Sequence, residues 1–207
     1  MKLSVIYKEL IAEMALSCVK NGITFILSNT KEVKLQDESK EFKSSGFFAE
    51  EEKILSVGTK KPIKEWFPTL LHEYNHMIQW LEEAFVEDKH LSAYELFWDW
   101  LDNKCELDKD KLRNVINIVR DIEKDCEYRT WTMLKDNPEL KISPDGYIKK
   151  ANSYLYSFAL MRRKRQWLKK PPYRIKRAVE IMPAKFMKDY NRVPKEFQEL
   201  ILKECFR

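Results

Sequence analysis

Residues 72–76 of this sequence read His72-Glu73-Tyr74-Asn75-His76 and contain two of the three histidines in the chain. Histidines four positions apart lie one turn apart on the same face of an α-helix, so both imidazoles can reach one metal ion. A glutamate beside the first histidine then stands close to a metal-bound water. The motif therefore predicts a divalent metal site, and in a chain with so few histidines it rarely arises by accident.

The helix that carries this motif places its histidines away from its apolar stripe. At about 100° per residue, His72 and His76 lie nearly opposite that stripe. Their neighbours on this side are Asn75, Gln79 and Trp80, which is not a typical solvated face. Histidines of an ordinary core or surface are the alternative interpretation. The stripe itself comprises Phe67, Leu70, Leu71, Tyr74, Ile78 and Leu81.

A hydrolytic zinc site takes three protein ligands and keeps the fourth position for water, so a third ligand must follow downstream. The helix around residues 115–134 offers one, because Glu123 lies about 60° from the centre of its apolar stripe and Glu127 about 100°. A carboxylate beside such a stripe needs a cation. We predict Glu123 as the ligand and Glu127 as the second choice, and Glu127 or Asp125 could instead orient a ligand histidine.

Two alternatives stay open for this third ligand. Glu123 and Glu127 could belong to an ordinary solvated face with Arg120 as their partner. His90 is the remaining histidine, but it falls in the charged stretch 87–90, which is more typical of an exposed loop. Its spacing also lacks the glycine-containing third-histidine motif of metzincins.

Residues 70–80, together with residues 123–127, resemble the HExxH…E zinc metallopeptidases of the zincin superfamily. Cys126 and Glu127 match the small and acidic residues that thermolysin-like members carry three and four positions after the ligand glutamate. More narrowly, the sequence resembles metallopeptidases encoded by large tailed phages. These combine a His-Glu-x-x-His-x-x-Gln-Trp helix, an Asp-Cys-Glu helix and a later segment like residues 147–154. The narrow resemblance spans roughly residues 46–168.

The resemblance implies a mechanism for peptide or protein substrates. His72, His76 and Glu123 would hold Zn²⁺, which lowers the pKa of a bound water toward about 7, and manganese or cobalt could substitute. Glu73 would take the proton of that water and return it to the leaving amine. Strands between Gly46 and Gly58 would form the edge at which an extended peptide adds. Candidates for stabilising the oxyanion are Tyr147, Asn152, Tyr154 and Tyr156, of which we take Tyr154 as the catalytic prediction.

Composition and pattern predict an α+β fold with a small N-terminal sheet and a mostly helical remainder, in one domain over residues 1–207. The resemblance implies that this fold is zincin-like. Hydrophobic residues make up 44% of the chain, and only four glycines argue against a turn-rich all-β fold or a glycine-rich phosphate loop. Strands precede helices without βαβ alternation. Predicted strands are 23–28, 33–35, 46–49 and 53–58, with 33–35 pairing to the first. Predicted helices are 4–20, 63–84, 91–102, 109–135, 145–170 and 194–205.

Charge is unevenly distributed along the chain. Residues 1–148 hold 21 Lys+Arg and 28 Asp+Glu, net −7, whereas residues 149–192 hold 14 and 2, net +12. This basic C-terminal stretch, which includes residues 162–165, could contact nucleic acid or an acidic partner, or could simply be a solvated face. The alternative function is therefore a catalytically inactive zincin scaffold that binds nucleic acid or a phage or virion component through residues 149–192.

Sequence features also predict where the protein works. No run approaches about eighteen uncharged apolar residues, and Lys8 and Glu9 interrupt the apolar start, so we expect neither a membrane span nor a signal peptide. The four cysteines form no Cys-x-x-Cys pair, which favours reduced thiols. The expected location is the cytoplasm, that of the bacterial host if the protein is phage-encoded.

Overall fold

A computed structural model describes residues 4–36, 41–82 and 91–206. The chain divides into two compact units, the first Met1–Ala84 with Thr132–Ile142 and the second Phe85–Trp131 with Ser143–Arg207. The predicted α+β class is confirmed, since a small N-terminal sheet precedes a mostly helical remainder. The helices are α1 (Val5–Lys20), α2 (Ile63–Leu81), α3 (Leu91–Leu101), α4 (Lys109–Asp136), α5 (Pro144–Lys164), α6 (Lys176–Glu180) and α7 (Lys195–Glu204). The strands are β1 (Thr24–Ser28), β2 (Val33–Gln36), β3 (Glu41–Ser44), β4 (Gly46–Ala49) and β5 (Ile54–Gly58).

The first unit contains a three-stranded sheet in the order β1-β5-β4. Strand β5 pairs parallel with β1 and antiparallel with β4, so that Leu55 lies opposite both Phe25 and Phe48. Leu55 and Val57 are fully buried, as expected for the central strand of a sheet. Strand β4 is therefore an edge strand of this sheet among the strands that the structure describes.

The pairing predicted for residues 33–35 is wrong. Strand β2 pairs antiparallel with β3, a strand that the sequence pattern did not predict, and these two form a separate sheet. The chain bends at residues 29–32 after β1, where the Thr30 hydroxyl donates to the carbonyl of Glu32 at 2.7 Å. The partner of β1 is instead β5, which lies much later in the chain: Thr24 of β1 is opposite Ile54 of β5.

Helix α2 packs on this sheet through fully buried side chains. Phe67, Leu70 and Leu71, three members of the predicted stripe, are completely buried. Helix α1 completes the core: the Tyr7 ring meets the Phe67 ring edge-on at 4.8 Å, and its hydroxyl donates to the carbonyl of Leu140 at 2.6 Å. This half of the predicted stripe anchors α2, but its other members, Tyr74, Ile78 and Leu81, are only half-buried. Asn75 and Gln79, on the predicted histidine side, are buried instead.

The second unit is helical, with a core shared by α3, α4, α5 and α7. Phe97, Val119, Leu155 and Phe197 are almost completely buried within it. Each comes from a different helix, so the core joins all four helices. The hydrophobic contribution of one such side chain is about 1.5–3 kcal/mol.

Helix α5 ends at Lys164, six residues earlier than predicted, because the chain reverses at Arg165. Arg165 has a left-handed backbone, with φ at 48°. Its guanidinium donates to the carbonyls of Trp100 and Cys105 at 2.9 and 2.8 Å and to the Glu106 carboxylate at 2.6 Å. This cation of the basic stretch therefore joins parts of the second unit to each other.

No helix in the described ranges is both long and apolar enough to cross a lipid bilayer.

Candidate metal centre

Helix α2 brings the two motif histidines together as the spacing predicts. The Nε2 atoms of His72 and His76 lie 3.1 Å apart, and the two rings stand almost perpendicular with their centres 4.6 Å apart. Two imidazole nitrogens bound to one tetrahedral zinc ion at about 2.0–2.1 Å would lie about 3.3 Å from each other. The pair therefore fits a shared metal ion without a change of backbone.

Gln79 holds the second of these rings from the opposite side. Its Oε1 atom lies 3.0 Å from Nδ1 of His76, and the Gln79 side chain is buried. An amide oxygen only accepts hydrogen bonds, so this contact favours a proton on Nδ1 and, in the neutral ring, a lone pair on Nε2. Sequence analysis noted Gln79 only as a polar neighbour, although its i, i+3 spacing from His76 places both on one face.

Replacing Gln79 is expected to weaken metal binding. In Gln79→Leu the acceptor for His76 Nδ1 is lost, and we expect zinc affinity to fall about 10–100-fold. Competition with a chromophoric chelator measures this affinity. Gln79→Glu, which keeps an acceptor oxygen, is the matched control and should retain most of the affinity. Equal affinities for Gln79→Leu and the wild type would contradict this role for Gln79.

Glu73 lies directly against the edge strand of the sheet. At Gly46, the first residue of β4, an added Cβ would lie 3.2 Å from Cγ of Glu73 and 2.9 Å from Cγ2 of Thr69. Only a glycine allows this approach without moving the neighbours. The backbone of β4 therefore passes close to the motif glutamate.

A further carboxylate of the first unit lies near the histidines and was not predicted. Glu50 directly follows β4, and burial raises the pKa of its carboxyl above the usual range. The charge of His76 opposes that rise, and Glu51 adds to it. Glu50 thus lies close enough to His76 for their charges to interact.

In the second unit, α4 carries Glu123 and Glu127 as buried residues, each only 7% exposed. The Tyr94 hydroxyl, from α3, donates to Oε1 of Glu123 at 3.0 Å, and the Tyr147 hydroxyl, from α5, donates to Oε2 of Glu127. These carboxylates therefore do not lie on a solvated face. The position of Glu123 around the helix predicted that it would be more buried than Glu127, but the structure buries both equally.

The neighbouring charged residues of α4 have other partners. The guanidinium of Arg120 donates to Asn117 at 2.6 Å and to Asn191 at 3.1 Å, so it turns away from the predicted glutamate partners. Asp125 pairs with Arg129 at 2.7 Å. Glu123 and Glu127 therefore differ from these neighbours in being buried acids whose hydrogen-bond donors are tyrosines.

Cys126 is a candidate ligand that sequence analysis did not propose as one. It is fully buried on α4. A buried thiol is a soft ligand that suits zinc, so Cys126 joins Glu123 and Glu127 as a candidate on this helix. In the sequence, the only sign that Cys126 could be a ligand is that it lies on the predicted apolar stripe of this helix and is flanked by two acids, Asp125 and Glu127.

The four candidates for the oxyanion donor have different surroundings. Asn152 is buried and donates to the carbonyls of Pro183 and Lys185 at 2.7 and 2.8 Å, so it holds that segment in place. The Tyr156 ring packs on Tyr190 with centres 4.9 Å apart. The other two candidates are tyrosines. The Tyr147 hydroxyl donates to Glu127. The centre of the Tyr154 ring lies 5.2 Å from that of Phe158 and 6.4 Å from that of Tyr173.

His90, the alternative third ligand, lies outside the described residues.

Comparisons of this chain with protein-family models, with curated proteins and with solved structures found no match. The zincin fold and the metallopeptidase family therefore stay predictions from the sequence motifs.

Proposed function

We propose that this protein is a zinc-dependent metallopeptidase that hydrolyses peptide bonds, with Glu73 as general base. His72 and His76 supply two metal ligands and an acid of α4 supplies the third. The observation that carries the proposal is the convergence of the two Nε2 atoms at 3.1 Å, with the other nitrogen of His76 on the buried Gln79. Two imidazole nitrogens at this distance share either a proton or a metal ion, and the HExxH spacing favours the metal ion.

The donor set supports zinc over other divalent ions. Two imidazoles with a carboxylate or a thiolate suit zinc, whereas magnesium and calcium prefer oxygen ligands throughout. Zn²⁺ bound there would supply a Lewis acid that activates water for attack on a polarised carbonyl. Glu123 is our first choice for the third ligand, with Glu127 second, and Cys126 offers a sulfur alternative.

The motif position of Glu73 supports its proposed role as general base. Glu73 follows His72 directly on α2. Its carboxylate can therefore receive a proton from the attacking water and deliver it to the leaving amine. The contact between Glu73 and Gly46 puts β4 within reach of the same point. An extended substrate that adds to the edge of β4 would bring its backbone past Glu73. Tyr154 remains the proposed donor to the oxyanion.

The resemblance to metallopeptidases of large tailed phages suggests a setting for this activity. A phage-encoded enzyme would act on a peptide or protein substrate in the cytoplasm of the infected bacterium. The competing role, nucleic-acid binding by residues 149–192, finds less support, since Arg163 and Arg165 in that stretch bond residues of their own unit.

Metal content and hydrolysis of the purified wild-type protein test the proposal. We expect about one zinc ion per chain by elemental analysis and cleavage of a mixed peptide library followed by mass spectrometry. Chelation by 1,10-phenanthroline should abolish cleavage, and added zinc should restore it. A protein that binds no zinc, or that cleaves equally well after the metal is removed, would contradict the proposal.

A further inference from the structure

We propose that Tyr94 and Tyr147 are positioning residues of the metal centre, each fixing one acid of α4 in the orientation that metal binding requires. This inference rests on the proposed function, and it assigns both Glu123 and Glu127 to the centre. One of them would bind the metal directly, and the other would lie beside it.

The contacts that carry this inference lie within the second unit. Glu123 and Glu127 are one turn apart on α4, so their side chains leave the same face of the helix. Each carboxylate accepts a hydrogen bond from a tyrosine of a different helix, Tyr94 of α3 and Tyr147 of α5. Two separate helices thus supply the same type of donor to adjacent acids.

The chemistry of these donors explains why tyrosine is suited to the position. Two buried carboxylates one turn apart repel each other, and burying each one is costly unless it is hydrogen-bonded. A lysine or arginine would satisfy them but would also cancel their charge. A tyrosine hydroxyl satisfies a carboxylate oxygen and leaves the negative charge available for a cation.

The ring of Tyr94 is restrained by a neighbouring aromatic side chain. It packs against Trp98, with ring centres 5.8 Å apart, which restricts its movement. The Tyr94 hydroxyl is therefore held in place by its ring before any ligand binds.

Removing either hydroxyl should weaken metal binding without removing a ligand. We expect Tyr94→Phe and Tyr147→Phe each to lower zinc affinity about 10–100-fold, as is typical when a partner of a ligand is lost. The larger loss identifies the tyrosine whose carboxylate binds the metal directly. Tyr156→Phe is the matched control: Tyr156 is also buried on α5, packs by its ring on Tyr190, and should bind zinc as the wild type does.

A spectroscopic measurement separates positioning from a general structural role. The visible absorption of the Co²⁺-substituted protein reports ligand geometry, and we expect its bands to shift in both Phe variants but not in Tyr156→Phe. Thermal unfolding of the metal-free proteins checks that they fold. If a Phe variant does not fold, 3-fluorotyrosine at the same position keeps the ring, strengthens the donor, and should also shift the bands.

The possible outcomes distinguish this inference from the proposed function. If the wild type binds zinc but both Phe variants match it in affinity and cobalt spectrum, the tyrosines play no positioning role and the metallopeptidase proposal stands. A wild type without zinc or cobalt binding overturns both. Weaker binding in Tyr156→Phe equal to that in the other variants would show a non-specific effect of lost hydroxyls and would overturn the inference alone.

Discussion

Glu73→Gln is expected to lower the rate of peptide hydrolysis about 10²–10⁴-fold while the protein keeps its zinc. Glutamine has nearly the same shape as glutamate, so the contact with Gly46 should survive. It cannot accept a proton from water, however, and the proton transfer to the leaving amine is lost with it. The measurements are kcat on a cleaved peptide and zinc content by elemental analysis.

A second glutamate of the same helix provides the control for this substitution. Glu65 lies in the first turn of α2 and is exposed, so Glu65→Gln should leave both hydrolysis and zinc content unchanged. Full activity in Glu73→Gln would contradict the assignment of the general base. If activity and zinc were lost together, Glu73 would instead support the metal site or the fold.

Substitution of the acids on α4 has the second large expected effect. We expect Glu123→Ala to lose stoichiometric zinc, because a direct ligand disappears. Glu127→Ala should lower zinc affinity only about 10–100-fold, as expected for a residue beside the ligand. Elemental analysis and chelator competition on both variants measure this difference, and hydrolysis should follow zinc occupancy.

Three outcomes of this comparison reassign the third ligand. Retention of zinc in Glu123→Ala with loss in Glu127→Ala would make Glu127 the ligand. Loss in Cys126→Ser alone would make the sulfur the ligand. Full zinc binding in all three variants would place the third ligand outside α4.

The comparison also has a control within α4. Asp125 is one position from Cys126 but pairs with Arg129 at 2.7 Å. Both of these side chains are more exposed than the two buried glutamates, and Asp125→Ala should therefore retain zinc. An exposed ion pair of this kind contributes only about 0–1 kcal/mol to stability, so this variant should also fold normally.

Much of this protein follows from helical periodicity, which is a local property of the chain. A spacing of four residues placed His72 and His76 on one face of α2, and the structure has their Nε2 atoms 3.1 Å apart. The same reasoning predicted that Glu123 turns toward the interior. Helix phase depends only on neighbours a turn away, so a single sequence is sufficient to predict it.

Tertiary structure decided the features that depend on residues far apart in the chain. Strand β1 pairs with β5, so that Thr24 lies opposite Ile54, and not with the nearby β2, because strand pairing depends on which segments meet in space. The burial of Glu127 and its bond to Tyr147, 20 positions away, depend on the packing of α5 beside α4. Periodicity describes one helix at a time. It can show which face of a helix is turned inward, but not which side chain of another helix meets it there.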